Sequence, residues 1–107
     1  MVFNTGSALL DAIVLAVVER SSEGTYGYKI TQDVRSVINV SESTLYPILR
    51  RLEQSGYLTT YNRQYQGRNR KYYAMTDAGR TQLAFLREEW HAYRNTIDDI
   101  TEGGLRG

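Results

Sequence analysis

The feature that most limits what this chain can fold into is an apolar stretch near its start. Leu9, Leu10, Ile13, Val14, Leu15, Val17 and Val18 fall on nearly every side of a helix predicted from Ala8 to about Arg20, with Ser7 as its cap. A helix that is apolar all round must be buried on most sides. A chain of 107 residues rarely supplies that much partner surface alone. The longest run, Ala12 to Val18, is too short to cross a bilayer, which needs about 20 apolar residues. No basic region followed by an apolar segment opens the sequence. There is no cysteine and one histidine. That excludes a disulfide scaffold, a thiolate zinc site, a cysteine nucleophile and a histidine-rich metal site. The expectation is one soluble, cytoplasmic chain of ordinary globular composition, with no membrane partner.

Downstream, Ser21-Ser22-Glu23-Gly24 reads as a loop. Ile30, Val34 and Val37 form one stripe of a helix from Gly27 to about Val37. Asn39 and Val40 make a short turn, and Ser41 caps a third helix from Glu42 to about Gln54. That helix turns Leu45, Ile48, Leu49 and Leu52 inward and is ended by Gly56. Tyr57 to Gln66 is rich in Tyr and Thr and predicts a strand. Gln66-Gly67-Arg68-Asn69 predicts a turn and Arg70 to Met75 the returning strand. Thr76 then caps a long helix to about Ile100, and the last residues should fray. This order predicts a mainly α fold with a small β-hairpin (α+β). Residues 1–80 form a winged helix-turn-helix, and residues 81–107 a C-terminal dimerisation helix and tail. Pro47, the only proline, leaves two readings open. Either the third helix kinks there and frees the Ser43 carbonyl, or it begins only near Tyr46, with Pro47 in its first turn.

The net charge of +1 conceals a distribution: residues 41–80 hold seven Lys/Arg against three Asp/Glu, while the flanking segments are net −1 and −2. Tyr57, Tyr61, Tyr65, Tyr72 and Tyr73 share that basic tract. Ser43, Thr44 and Tyr46 open the third helix, with Arg50 and Arg51 a turn further on. A helix entering the major groove presents its N-terminal residues to bases and phosphates; the plainer reading is a solvated capping cluster. Arg63, Arg68, Arg70 and Lys71 cluster about a glycine turn, which suits contact with a nucleic-acid backbone or minor groove. The plainer reading there is a solubilising charged edge. Alternation along the returning strand places Lys71 and Tyr73 opposite to Arg70 and Tyr72.

Leu83, Leu86, Trp90, Tyr93, Ile97 and Ile100 recur at spacings of three and four, an a/d seam that asks for a partner. Self-association satisfies it, and so would packing on the domain's own core. Trp90 either packs in a core or lines a cavity at the dimer axis, stacking on a flat hydrophobic ligand. His91 falls off the seam and carries no role. Asp98, Asp99 and Glu102 read as a frayed acidic end rather than a metal or catalytic site. No P-loop, dinucleotide fingerprint or nucleophile–base pair occurs, so neither an enzyme nor a cofactor is expected.

Two linked segments carry a family resemblance. Ser43-Thr44-Leu45-Tyr46-Pro47-Ile48-Leu49-Arg50-Arg51-Leu52-Glu53, continued by Ser55-Gly56-Tyr57-Leu58, resembles the recognition-helix hallmark of the PadR family of bacterial transcriptional regulators. Gly67-Arg68-Asn69-Arg70-Lys71-Tyr72-Tyr73-Ala74-Met75-Thr76-Asp77-Ala78-Gly79 resembles its wing, and Tyr26-Gly27-Tyr28 also fits. The match covers about residues 8–80. The single C-terminal helix is similar to the short subfamily that includes a multidrug-responsive repressor of lactococci. The resemblance implies a homodimeric, sequence-specific repressor of double-stranded DNA, with Ser43, Thr44, Tyr46 and Arg50 touching DNA from the helix. Arg68, Arg70 and Lys71 would do so from the wing, and Trp90 would help form a pocket for a flat aromatic molecule that releases the operator. The competing expectation is a winged-helix protein-interaction module without operator specificity, which near-neutral net charge favours.

Overall fold

Helix α1 spans Ser7–Glu19 and buries Val14, Leu15, Val17 and Val18. It is the central element onto which the others pack. The computed structural model describes residues 6–103. After α1 come β1 (Thr25–Tyr26), α2 (Gly27–Arg35), α3 (Glu42–Gln54), β2 (Leu58–Tyr65), β3 (Arg68–Met75) and α4 (Asp77–Thr101). The fraying expected from Gly103 onward lies, apart from Gly103 itself, outside the described residues. One core joins α1 to Ile30 and Val34 of α2, Leu45, Leu49 and Leu52 of α3, Leu58 and Tyr73 of the sheet, and Leu83 and Leu86 of α4.

Several boundaries differ from the sequence reading, each for a local reason. Ser7 is not a cap: the helix already includes it, and Gly6 precedes it with no side-chain capping bond. Helix α2 stops at Arg35, so Val37 lies beyond it and is 67% exposed. The Ser36 hydroxyl donates to the Asp33 carbonyl at 2.7 Å, which competes with helix continuation, and Ile38 packs on the core instead. Pro47 lies inside a helix that begins at Glu42, so the late start is ruled out. The ring removes the amide that would meet the Ser43 carbonyl, at an exposed position where water can take its place.

The sheet has three strands in the order β1-β3-β2, all antiparallel. Strand β1 escaped the sequence reading because two residues show no periodicity. The turn is also tighter than expected. Only Gln66 and Gly67 connect the strands, both with positive φ (52° and 77°). That geometry matches the right-handed twist of a two-residue hairpin, and it puts Arg68 and Asn69 in β3, with Tyr65 opposite Arg68.

Helix α4, about 37 Å long at 1.5 Å per residue, divides in two. Leu83 and Leu86 are buried in the core, and among the described residues none beyond Leu86 is buried. The molecule is accordingly long, 64 × 27 × 21 Å with a radius of gyration of 16.1 Å, against about 13 Å for a compact chain of this size. The first two members of the seam are therefore satisfied within the chain. Trp90 and Tyr93 are half-buried, and Ile97 and Ile100 are exposed.

Candidate nucleic-acid interface

Helix α3 opens on a cluster of hydroxyls. The Ser41 side chain accepts from the Thr44 amide at 3.3 Å, and its Oγ lies 3.0 Å from both Ser43 Oγ and Thr44 Oγ1. Ser43 and Thr44 are exposed. The helix start therefore combines open hydroxyls with the partial positive end of the helix dipole, which favours an anion. Arg50 is exposed a turn and a half further on and has no ion pair among the described residues. Tyr46 is different: it is half-buried, and its ring closes against Gly27 at the head of α2. Arg51 turns away altogether and holds Asp11 of α1 through both guanidinium nitrogens, at 3.1 and 2.5 Å. That hydrogen bond, with the carboxylate's charge, raises the already high Arg51 pKa. Adjacent residues on a helix point about 100° apart. Arg50 and Arg51 therefore serve different surfaces.

The hairpin separates its cations by strand alternation. Arg63 stands opposite Arg70, and Tyr65 opposite Arg68, so all three arginines share the face turned away from the helices. Tyr61 pairs with Tyr72, and Tyr72 with Tyr26, which adds a tyrosine row to that face. Neither strand contains a carboxylate. The rings hold the like charges in place. The Arg70 guanidinium lies 4.2 Å from the Tyr26 ring centroid and 4.4 Å from that of Tyr65, and Arg63 lies 5.5 Å from that of Tyr72. Each such contact is worth about 0.5–1 kcal/mol at an exposed site. Tyr61 also donates its hydroxyl proton to the Glu23 carbonyl, which ties the hairpin to the loop after α1.

Lys71 faces the other way. Its ammonium donates to Glu53 Oε1 at 3.2 Å, while Thr60 Oγ1 donates to Glu53 Oε2 at 3.0 Å. The Thr60 hydrogen bond is the main reason the Glu53 carboxyl sits below its ordinary pKa; partial desolvation opposes it, and Lys71 adds to it. Lys71 is shifted upward: burial lowers it, but Glu53 and the Tyr73 hydroxyl group outweigh that cost. Of the predicted contacts, then, Ser43, Thr44, Arg50, Arg63 and Arg68 are exposed, Arg70 is half-buried between rings, and Lys71 belongs to the opposite face. Glu53, Thr60, Asp11 and Tyr26 were missed as organising residues. Their partners lie on other elements, between 7 and 44 residues away, and no spacing signals them.

Between α1 and α4 lies an open apolar groove of about 390 Å³, lined by Leu9, Ala12, Ile13, Ala16, Leu83 and Trp90 and edged by Glu19 and Arg87. The half-buried flank of α1 thus meets the start of the exposed stretch of α4. Among the described residues no cluster of metal-ligating side chains occurs, and no helix is long and apolar enough to cross a membrane.

The chain is similar to known proteins over most of its length. Residues 14–85 match the model of the transcriptional regulator PadR-like family. The chain is 38% identical over 94 residues to the transcriptional regulator Rv3488 of Mycobacterium tuberculosis, which covers 86% of this chain and 85% of that one. The crystal structure of smu.1704 from Streptococcus mutans UA159 superposes with a TM-score of 0.86 at 44% identity, covering 100% of this chain and 99% of that one. A PadR family transcription regulator from Clostridium difficile R20291 superposes with a TM-score of 0.77 at 27% identity, covering 86% and 97%.

Proposed function

This chain belongs to the PadR-like family of transcriptional regulators, and from that premise we propose that it is a homodimeric repressor reading a pseudo-palindromic operator. One observation carries the reading: a hairpin with three arginines on one face and no carboxylate on either strand, joined to a helix whose exposed start offers the hydroxyls of Ser43 and Thr44. In this reading α3 enters the major groove, with Ser43, Thr44 and Arg50 against bases and phosphates and Tyr46 contributing only its outer edge. Arg63, Arg68 and Arg70 lie along the flanking backbone or minor groove, where they displace counterions. Fluorescence anisotropy against duplex from upstream of the chain's own gene, with a shuffled duplex as competitor, tests it across several salt concentrations. Competition-resistant binding at physiological salt is expected. Equal affinity for all duplexes, genomic fragments included, would overturn it.

The outer half of α4 supports the dimer. Ile97 and Ile100 are 38% and 48% exposed on the same seam as the half-buried Trp90 and Tyr93, so a second copy would cover them and the groove beside α1. Two linked recognition helices then meet half-sites about one DNA turn apart. Replacing Ile97 and Ile100 together by glutamate should give a folded monomer in sedimentation equilibrium, with operator affinity reduced on the order of 100-fold as the linkage is lost. An unchanged dimer would place the interface elsewhere. The apolar groove at Trp90 is the seat for a flat aromatic effector in this reading. Such compounds should quench Trp90 fluorescence and weaken operator binding together.

A further inference from the structure

The inner face of the hairpin changes character abruptly. Toward the body, Leu58 and Tyr73 are buried and Met75 packs on the core. Toward the tip, Asn62, Gln64 and Asn69 on the same face are exposed. The change falls at Thr60 and Lys71, one on each strand, and both bind the carboxylate of Glu53 from the last turn of α3. Each carboxylate oxygen holds a different strand. Glu53 therefore sits where the wing leaves the body, joined directly to the helix that the DNA-binding reading places in the groove.

We infer that Glu53 is a positioning residue that sets the angle of the wing against the recognition helix, and that Lys71 serves as its anchor rather than as a DNA ligand. The inference rests on the DNA-binding reading above. Arg68 lies three residues beyond Lys71, roughly 10 Å along an extended strand. A tilt of about 10° at the anchor then moves the tip by about 2 Å, enough to break a hydrogen bond that needs a donor within about 3 Å. The pair is too exposed, at 49% and 33% of the two side chains, to matter much for folding. Its contribution is directional.

The full chain and operator duplex test this through the salt dependence of binding and a mutant cycle. Arg68→Ala should lower the slope of log affinity against log salt by about one, the signature of a lost phosphate contact. Lys71→Met should lower affinity about fivefold and leave that slope unchanged, and Lys71→Arg, which can still hold Glu53, should keep wild-type affinity. Glu53→Gln should cost the same as Lys71→Met, and nothing further when combined with it or with Arg68→Ala/Arg70→Ala, at an unchanged melting temperature. A slope reduced by one in Lys71→Met would make Lys71 a DNA ligand and overturn the inference. So would a Glu53→Gln cost that persists without the wing arginines. A wild-type chain whose affinity for duplex ignores salt overturns the DNA-binding reading itself, and the inference falls with it.

Discussion

Gly79→Ala is expected to destabilise the protein by about 3 kcal/mol, the upper end of what overpacking a tight site costs. A β-carbon at this position would lie 2.1 Å from the Tyr57 carbonyl oxygen and 3.0 Å from its carbon. Neither side can retreat cheaply. The Tyr57 carbonyl accepts from the Thr76 amide at 3.2 Å, the Thr76 hydroxyl donates to the Gly56 carbonyl at 2.6 Å, and the Gly79 amide donates back to that hydroxyl at 2.9 Å. Moving α4 away would also unseat Leu83 and Leu86 from the core. In an open helix the same substitution stabilises by about 0.5–1 kcal/mol, so the sign alone is diagnostic. Thermal unfolding should show a midpoint lowered by roughly 10–20 °C. A raised midpoint would mean that α4 and the turn after α3 are not in contact.

Arg68→Ala combined with Arg70→Ala should weaken operator binding on the order of 100-fold. The estimate takes about 1.4 kcal/mol for each lost charge-assisted contact, just below the usual range of about 1.5–3 kcal/mol because solvent replaces an exposed contact. The slope of log affinity against log salt should fall by about two, and the loss should be similar for specific and shuffled duplexes, because phosphates carry no sequence. Arg70→Lys separates two contributions. It keeps the charge but gives up the planar fork that stacks between Tyr26 and Tyr65, so it should retain the salt slope and lose part of the affinity. An unchanged slope in the double alanine variant would remove the wing from the interface.

The legible parts of this protein were those in which neighbours in sequence are neighbours in space. Ser41 and Thr76 cap α3 and α4 through the amides of Thr44 and Gly79, three residues on. The hairpin was legible from its β-rich composition and glycine turn, and alternation put Lys71 and Arg70 on opposite faces. What alternation leaves open is which face meets the helices. That depended on Tyr73, which is buried in the core and carries Lys71 inward with it. Charge alone groups Lys71 with the arginines, because it does not distinguish a cation free to meet a phosphate from one already holding a carboxylate.

The seam on α4 shows the same boundary. Its period specified a helix with one apolar stripe, and the stripe is there. A period does not say how far the chain's own body extends along it. The core ends at Leu86, so the stripe is buried up to that point, half-buried at Trp90 and Tyr93, and exposed at Ile97 and Ile100. Pro47 resolved likewise: local rules allowed two starts for α3, and the capped turn at Ser41 with Leu45, Leu49 and Leu52 buried below it selected the earlier one. The four helices and the hairpin, the caps at Ser41 and Thr76, the basic tract and the family motifs were legible in the sequence alone, because each rests on residues close together in the chain; the two-residue strand β1 and the start of α1 were not. Only the tertiary structure decided which cations are committed to carboxylates, which tyrosines hold arginines, and where the apolar seam reaches water. Those outcomes depend on partners on other elements, 40 residues apart for Asp11 and Arg51 and 18 for Glu53 and Lys71, and chain closure over such distances leaves no periodic trace in the sequence.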